Sequence, residues 1–181
     1  MFSGKTEELI KRLNRAVYAK QRVLVVKPSV DVRYAESEVV SHSEQRIPCV
    51  PVSRAIDIPD VVGDAQVIGI DESQFFDDSL IQVCNALADD GRRVIVAGLD
   101  QDYLGRPFGP MSGLMAVAEY VTKNHAVCMV CGAPANRSQR LTSRDGQVLL
   151  GSTEHYEARC RRHWQPDLHD SQQEFLPLES T

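Results

Sequence analysis

The sequence predicts an α/β protein, in which a mostly parallel sheet with helices is followed by a small C-terminal β-rich module that binds zinc. Over the first two thirds of the chain, short apolar runs typical of buried strands alternate with amphipathic segments. A Gly-Lys-Thr triplet, typical of a phosphate-binding loop, stands directly before the first amphipathic segment, and two pairs of potential metal ligands lie in the last third. We therefore expect a nucleotide-binding α/β domain over residues 1–125, a zinc-ribbon-like module over 126–166, and a polar, mobile tail over 167–181.

The first third of the chain is predicted to form one helix and two strands. Residues 7–20 place one apolar stripe on a helix, formed by Leu9, Ile10, Leu13 and Val17. The continuous apolar run within residues 22–27 predicts a strand that is buried on both faces, as in a parallel sheet. Residues 29–64 are polar and interrupted by prolines, with a short strand expected near residues 38–41.

The middle of the chain repeats the alternation of strand and helix. A second buried strand is expected over residues 67–70, and a third over 94–99. Helices are expected over residues 79–88, ended by Gly91, and over 113–121. From Ala126 onward cysteine pairs replace helix signals, which favours a small β-rich module.

Composition limits the class of protein. The chain has 181 residues, of which 43% are hydrophobic and 25% charged, as in an ordinary globular protein. No apolar run approaches the ~20 residues of a membrane helix, and no secretory signal is evident. The net charge of −5 is unlike that of a protein that binds duplex nucleic acid. The five cysteines are explained better by metal ligation than by disulfides, so we expect a reducing, cytoplasmic location. The charge and the lack of a long apolar run predict no stable nucleic-acid or membrane partner.

Ser3-Gly4-Lys5-Thr6 is the second half of a P-loop, whose full form is G-x-x-x-x-G-K-[ST]. In such a loop, backbone N–H groups cradle phosphate oxygens, the lysine meets the β- and γ-phosphates, and the hydroxyl ligates Mg²⁺. The first glycine and the strand that feeds the loop would precede residue 1, so we expect a segment before it. The first domain is thus predicted to be a P-loop (RecA-like) sheet.

The second buried strand ends in Asp71-Glu72. P-loop enzymes place an acidic residue that holds Mg²⁺ at the end of such a strand. A carboxylate at the next position can reach the γ-phosphate region and accept a proton from an attacking hydroxyl or water. The pair therefore predicts a phosphoryl-transfer site.

Cys128-x-x-Cys131 and Cys160-x-x-His163 have the spacing of two zinc knuckles. Four such ligands close a tetrahedral shell and leave no open position, which predicts a structural rather than a catalytic zinc. His155 and His169 lie nearby and remain alternative ligands, whereas Cys49 and Cys84 are interpreted as core residues.

Taken together, these motifs resemble the zinc-containing thymidine kinases of the cytosolic type (type II). The resemblance extends from Met1 to about Trp164 and rests on these segments: residues 1–6, Asp31-x-Arg33-Tyr34, Ile70-Asp-Glu-Ser-Gln-Phe-Phe76, Gly98-Leu-Asp100, Arg106-Pro-Phe-Gly109 and Tyr156-x-x-x-Cys160. It implies transfer of the ATP γ-phosphate to the 5′-hydroxyl of thymidine, a Mg²⁺ requirement and a homotetramer. It leaves open whether dTTP acts as a feedback inhibitor.

The resemblance also implies roles for individual residues. ATP and its phosphates would contact Met1, Phe2, Ser3, Gly4, Lys5, Thr6, Asp31, Arg33, Asp71 and Gln74. Thr6 and Asp71 would hold Mg²⁺, and Glu72 would be the catalytic base. Thymidine would be bound by Met1, Phe75, Leu99, Tyr103, Phe108, Ser138 and Tyr156, and by backbone groups of Gln147, Val148, Leu149, Leu150 and Gly151.

Four positions depart from common relatives: Tyr103 and Ser138 replace Phe and Thr, Ser73 replaces Gly, and His163 replaces Cys. Tyr103 keeps an aromatic face and Ser138 keeps a hydroxyl, so the interpretation stands. Residues 140–156 are expected to form a flap over the nucleoside, with Arg140 and Arg144 as trypsin sites on it; an ordinary, always-formed β-hairpin is the alternative.

Two other functions remain open. A nucleic-acid-dependent P-loop ATPase would share the Asp-Glu strand end and the zinc module. The net acidic charge and a chain too short for two motor domains argue against this function. A non-enzymatic zinc scaffold with a decayed nucleotide site is opposed by the intact Lys5, Thr6, Asp71 and Glu72.

Overall fold

The computed structural model describes residues 1–29, 49–141 and 155–166 in full, and the backbone course of 38–40 and 46–48. Its elements in chain order are α1 (Lys5–Tyr18), β1 (Val23–Pro28), β2 (Glu38–Val40), β3 (Arg46–Pro48), β4 (Val50–Val52), α2 (Ile58–Val62), β5 (Val67–Ile70), α3 (Ser79–Asp89), β6 (Arg93–Val96), α4 (Met111–Val117), β7 (Ala126–Val127), β8 (Pro134–Ala135), β9 (Arg137–Arg140) and β10 (Tyr156–Arg159). Short 3₁₀ turns cover Ala55–Asp57 and Ser73–Phe75.

The central sheet is parallel throughout, in the order β4-β1-β5-β6. Strand β5 lies in its interior, with Ile70 opposite Val26 on one side and Val96 on the other. All four residues of β5 are buried, as the continuous apolar run predicts. The carboxyl ends of parallel strands share one edge of the sheet, and this is the edge at which open α/β sheets bind ligands.

Helices cover both faces of this sheet, which confirms the predicted α/β class. On one face, α1 packs Leu9, Ile10 and Leu13 in a core with Val67 of β5. On the other face, α3 and α4 contribute a larger cluster that includes Leu80. Burying apolar side chains from both layers is the main stabilising contribution to such a fold.

The described residues of the C-terminal part include two small antiparallel pairs, β7 with β8 and β9 with β10. Its apolar cluster comprises Ala126, Cys128, Ala135 and Ala158, with Phe2 and Cys160 packed against it. So few apolar side chains supply little hydrophobic stabilisation, which is the usual situation of a module that a metal holds together.

Three details differ from the sequence expectations, one in burial and two in element boundaries. The buried face of α1 includes Ala16 and not the expected Val17, which is 51% exposed. Strand β6 ends at Val96 rather than at residue 99, because the next backbone groups turn toward the site described below. Helix α4 spans Met111–Val117 instead of 113–121, since the backbone of Ala118 is extended.

None of the helices in the described part of the chain is long and apolar enough to span a membrane.

Candidate active site

The Gly-Lys-Thr triplet forms the start of α1, as predicted. Gly4 has a left-handed backbone (φ 73°, ψ 27°) and precedes the first helical residue, Lys5. Its carbonyl accepts the backbone hydrogen bond of Glu8 over 3.0 Å, so the helix begins directly at this turn. The unpaired N–H groups of a helix N-terminus, together with the Lys5 cation, suit an anionic ligand such as a phosphate.

Asp71 lies directly after β5 and faces this turn. Its Oδ2 accepts a hydrogen bond from Thr6 Oγ1 over 3.2 Å, and its Oδ1 accepts one from the backbone N–H of Glu72 over 2.9 Å. Burial raises the pKa of Asp71 to about 7, and the negative charge of Glu72 adds to this effect. The carboxyl group is therefore poised to lose its proton when a cation arrives beside it.

Glu72 has a strained backbone, with φ 48° and ψ 39°. A left-handed conformation costs a residue with a side chain ~1–3 kcal/mol, and such strain is concentrated at functional sites. Its Oε2 accepts a hydrogen bond from Gln74 Nε2 over 2.5 Å. The turn thus directs the Glu72 carboxylate toward Gln74 instead of continuing the line of β5.

Gln74 connects the ends of two neighbouring strands. Its side chain is buried, and its Oε1 accepts a hydrogen bond from the backbone N–H of Leu99, just beyond β6, over 2.9 Å. One amide group therefore fixes both the Glu72 carboxylate and the Leu99 backbone. This contact explains why β6 ends early, since the Leu99 N–H is used by a side chain and not by the sheet.

The aromatic residues assigned to thymidine binding lie beside this network. Phe75 and Phe108 form an edge-to-face pair, with ring centroids 5.6 Å apart and an interplanar angle of 85°. The guanidinium Cζ of Arg140 lies 4.8 Å from the ring centroid of Tyr103. Tyr156, which is buried, pairs with Arg140 across the β9–β10 ladder.

Met1 joins the phosphate side of the site to the aromatic side. Its backbone nitrogen donates to Ser138 Oγ over 3.0 Å. The charges of Lys5, Glu72 and Asp100 all act on the same nitrogen, which places it among them. Met1 therefore connects described members of both predicted groups, near the carboxyl edge of the sheet.

Some predicted site residues fall outside the described part of the chain. These are Asp31 and Arg33 of the nucleotide set, and Gln147, Val148, Leu149, Leu150 and Gly151 of the thymidine set. Most of the expected flap, residues 142–154, and the tail, residues 167–181, also lie outside it.

The four predicted metal ligands form one cluster. The donor atoms of Cys128, Cys131, Cys160 and His163 all lie within 4.8 Å of one another. Cys131 Sγ is 3.8 Å from Cys160 Sγ, and Cys160 Sγ is 3.3 Å from His163 Nδ1. Tetrahedral zinc with Zn–S bonds of ~2.3 Å separates its sulfur ligands by about 3.8 Å, so this Cys₃His set fits a structural zinc. Within the described residues His155 is not part of this cluster, and His169 lies beyond them.

Cys128 is prepared to act as a thiolate ligand. Burial opposes ionisation of the Cys128 thiol. Hydrogen bonds nevertheless lower its pKa to about 5; they come from backbone groups of Cys160, Val130 and Cys131 and from the His163 side chain. Zinc binds the deprotonated thiol, so these contacts favour metal binding at neutral pH.

Three residues that lie near the site were assigned no part in it by the sequence analysis. Arg137, Arg140 and Trp164 stack on or beside rings in pairs that only the folded chain brings together, and no local pattern predicts them. Asp102 also escaped it, although a signal was present. Its Oδ1 accepts the N–H groups of Leu104 and Arg106, both over 2.9 Å, which is the usual behaviour of an aspartate in a glycine-containing turn.

Comparison with known proteins identifies the family of the chain. The family model described as thymidine kinase matches residues 1–164. A thymidine kinase of Rhodothermus sp. is 61% identical over 166 residues, which cover 92% of this chain and 78% of that protein. A thymidine kinase of Bdellovibrio bacteriovorus is 54% identical over 169 residues, covering 93% and 83%. One of Bacteroides fragilis is 50% identical over 173 residues, covering 96% and 87%. With this match over nearly its whole length, the chain belongs to the thymidine kinase family.

Proposed function

We propose that this enzyme transfers the γ-phosphate of ATP to the 5′-hydroxyl of thymidine, giving dTMP and ADP for DNA synthesis by nucleotide salvage. The observation that supports the proposal is the hydrogen bond between Thr6 and Asp71, which joins the start of α1 to the end of β5, where Glu72 follows in a left-handed conformation. A phosphate-binding turn, a site for a cation and a proton acceptor are the parts that phosphoryl transfer to a hydroxyl requires.

In this proposal the start of α1 binds the phosphates of ATP. Backbone N–H groups after Ser3 and Gly4 would donate hydrogen bonds to the phosphate oxygens, and the Lys5 ammonium would neutralise their charge. Asp31 and Arg33 are assigned to the same nucleotide, as the family resemblance implies. Positioning the phosphates for in-line attack is the main catalytic contribution of such a site.

Thr6 and Asp71 would hold Mg²⁺. A hydroxyl and a carboxylate supply the hard oxygen ligands that this ion prefers, and the two side chains are already within hydrogen-bonding distance. When bound, the ion would neutralise charge on the β- and γ-phosphates. Release of the proton from Asp71 would accompany its arrival.

Glu72 is the proposed catalytic base. The 5′-hydroxyl must lose a proton as it attacks, and Glu72 Oε2 would accept it. The hydrogen bond from Gln74 Nε2 fixes the orientation of this carboxylate, and the same Gln74 holds the Leu99 backbone at the thymidine side. Gln74 therefore couples the position of the base to that of the nucleoside.

The thymidine pocket is proposed to combine apolar and polar contacts. Phe75, Leu99, Tyr103 and Phe108 would exclude water from the base, because aromatic and aliphatic side chains bury a planar ring well. The Ser138 hydroxyl and Tyr156 would bind polar groups of the nucleoside. Backbone groups of residues 147–151 would bond the edge of the base as the flap closes.

We further propose one structural zinc, a cytoplasmic homotetramer, and the division into residues 1–125, 126–166 and 167–181. The compact Cys₃His cluster supports the zinc, and its need for reduced thiols supports the compartment. Family membership supports the tetramer and makes dTTP a candidate inhibitor. The net charge of −5 argues against a stable nucleic-acid partner.

The decisive experiment measures ADP release from ATP and Mg²⁺ in the presence of thymidine, other nucleosides or DNA. Thymidine should stimulate release, with dTMP formed in equal amount. Stimulation by polynucleotides without nucleoside phosphorylation would instead favour the ATPase interpretation.

A further inference from the structure

The side chain of Trp164 connects the zinc ligands to the loop that carries Tyr103. Trp164 follows the ligand His163 directly, and its indole reaches across to residues 101–105. We call the contacts among Gln101, Tyr103, Gly105, Arg137 and Trp164 the Trp164 link. None of the functional roles assigned above uses it.

The backbone of Trp164 is fixed on both sides. The N–H groups of His163 and Trp164 both donate to the carbonyl of Cys160 over 3.0 Å, so a zinc ligand defines where Trp164 begins. Immediately after it, Gln165 exchanges two hydrogen bonds of 2.8 Å with the side chain of Gln139 on β9. The indole is therefore presented from a chain segment that the metal cluster and β9 hold together.

The indole contacts the Tyr103 loop along its backbone. Trp164 Nε1 donates to the carbonyl of Tyr103 over 3.2 Å. The ring also lies against Gly105, where an added Cβ would be 2.9 Å from Trp164 Cη2, so only glycine permits this close approach. The flat indole ring of Trp164 therefore supports the loop at its turn around Gly105.

Two buried arginines of β9 complete the arrangement. The Cζ of Arg137 lies 5.0 Å from the centroid of the Trp164 ring, and its guanidinium donates to the Gln101 side chain. Arg140 lies over the ring of Tyr103. Cation–π contacts of desolvated arginines contribute more than exposed ones, because water does not compete for the charge. Tyr103 is consequently held at its carbonyl by Trp164 and at its ring by Arg140.

We infer that Trp164 is a positioning residue through which the zinc centre fixes Tyr103 and thereby sets the affinity for the nucleoside. The inference rests on the proposed function, since it assigns Tyr103 to the thymidine pocket. It separates two roles of the metal: zinc stabilises the small module, and through the indole it also determines where an aromatic wall of the pocket lies. ATP binds on the other side of Glu72 and should be insensitive to this link.

The kinetic test uses Trp164→Phe, which keeps a ring beneath Arg137 but removes the N–H that the Tyr103 carbonyl accepts and the edge of the indole that lies against Gly105. Loss of one hydrogen bond should raise the KM for thymidine roughly 2- to 10-fold. The kcat and the KM for ATP should stay within about twofold of the wild type. Tyr120→Phe, a change in an aromatic residue that is 88% exposed, is the matched control and should alter none of the three. An unchanged KM for thymidine, or equal changes for both substrates, would overturn the inference.

A second test uses fluorescence, because Trp164 is the only tryptophan. In the zinc-loaded protein, thymidine should reduce quenching of Trp164 by acrylamide, whereas ATP alone should not. Removing zinc with a chelator should increase quenching and abolish the response to thymidine. A purely structural tryptophan would not respond to the nucleoside, so an absent thymidine response would count against the positioning role.

The two proposals fail in different ways. If the wild-type protein phosphorylates no thymidine, the proposed function is wrong. If it does so normally while chelation leaves the quenching of Trp164 unchanged, only the Trp164 link is wrong.

Discussion

The side chains of Thr6 and Asp71 are joined by a hydrogen bond of 3.2 Å although the two residues are 65 positions apart. The contact connects the first turn of α1 with the carboxyl end of the central strand β5. It assembles the proposed cation site from two separate elements, each of which is fixed by a buried core. The geometry of the site therefore depends on the packing of α1 against the sheet.

The first prediction concerns Asp71 and the pH dependence of stability without nucleotide or divalent cations. The pKa of Asp71 is raised from 3.8 to about 7 in the folded protein by burial and then by the charge of Glu72. Below pH 3.8 Asp71 is protonated in both the folded and the unfolded protein, and its contribution to the free energy of unfolding is fully present. This contribution is lost as the pH rises through about 7, because the carboxyl group ionises more readily in the unfolded protein. The free energy of unfolding, measured with urea at pH 5 to 8, should decline less with rising pH in Asp71→Asn than in the wild type. Asp60→Asn, at an exposed position of α2, is the control and should keep the wild-type slope.

The second prediction concerns the proton acceptor. Glu72→Gln preserves the shape of the side chain and its hydrogen bond with Gln74, but it removes the base. Turnover should fall by ~10²–10⁴-fold, the usual contribution of a general base. Binding of ATP, measured by calorimetry, should change little. Near-normal turnover in this variant would assign the proton transfer to another group.

The third prediction is that the protein contains one zinc per chain, held by Cys128, Cys131, Cys160 and His163. Cys160→Ser should lose the metal, lower the unfolding temperature and weaken thymidine binding, since the metal would no longer hold the segment in which Trp164 bonds to the carbonyl of residue 160. Metal analysis by mass spectrometry provides the measurement. Cys84→Ser changes a cysteine outside the cluster and should keep its zinc. Absence of zinc from wild-type protein purified without chelators would contradict the assignment.

The fourth prediction tests the flap by limited trypsin digestion. Arg140 is buried and stacked on Tyr103, so cleavage after it should be slow with or without ligand. Arg144 is therefore the informative site, and thymidine should protect it more than ATP alone does. Cleavage after Lys20, an exposed residue at the end of α1, serves as the internal control and should not respond. Equal cleavage after Arg144 with and without thymidine would favour an always-formed hairpin.

The sequence predicted the buried strand β5 to the residue, because a continuous apolar run in a parallel sheet has no alternative face to expose. It placed the end of β6 three residues too far, since the Leu99 N–H bonds to the side chain of Gln74. It extended α4 through residue 121, although Tyr120 and Val121 are exposed in the described structure and gain nothing from a helix there.

The residues of the candidate site also form two groups, those that sequence motifs predict and those that only the fold brings together. Lys5, Thr6, Asp71 and Glu72 belong to motifs whose spacing is fixed by the chemistry of phosphates, so a sequence displays them directly. The zinc ligands are visible for the same reason. Arg137, Arg140 and Trp164 act through stacking across separate strands and loops, and such contacts depend on the tertiary structure alone. The left-handed backbone of Glu72 also has no local signature, because glutamate shows no preference for it.

The register that places Tyr156 opposite Arg140 has a consequence for how the family can diverge. With β9 and β10 paired, and with β10 followed directly by Cys160 of the metal cluster, the chain between the two strands begins and ends at fixed points. The entropic cost of closing such a loop grows slowly, by only ~0.6 kcal/mol for each doubling of its length. Insertions and deletions between residues 141 and 155 should therefore be tolerated far better than changes of similar size in the sheet. Under the proposed function, a change in the length of this one segment would alter nucleoside preference without changing the residues assigned to phosphate transfer.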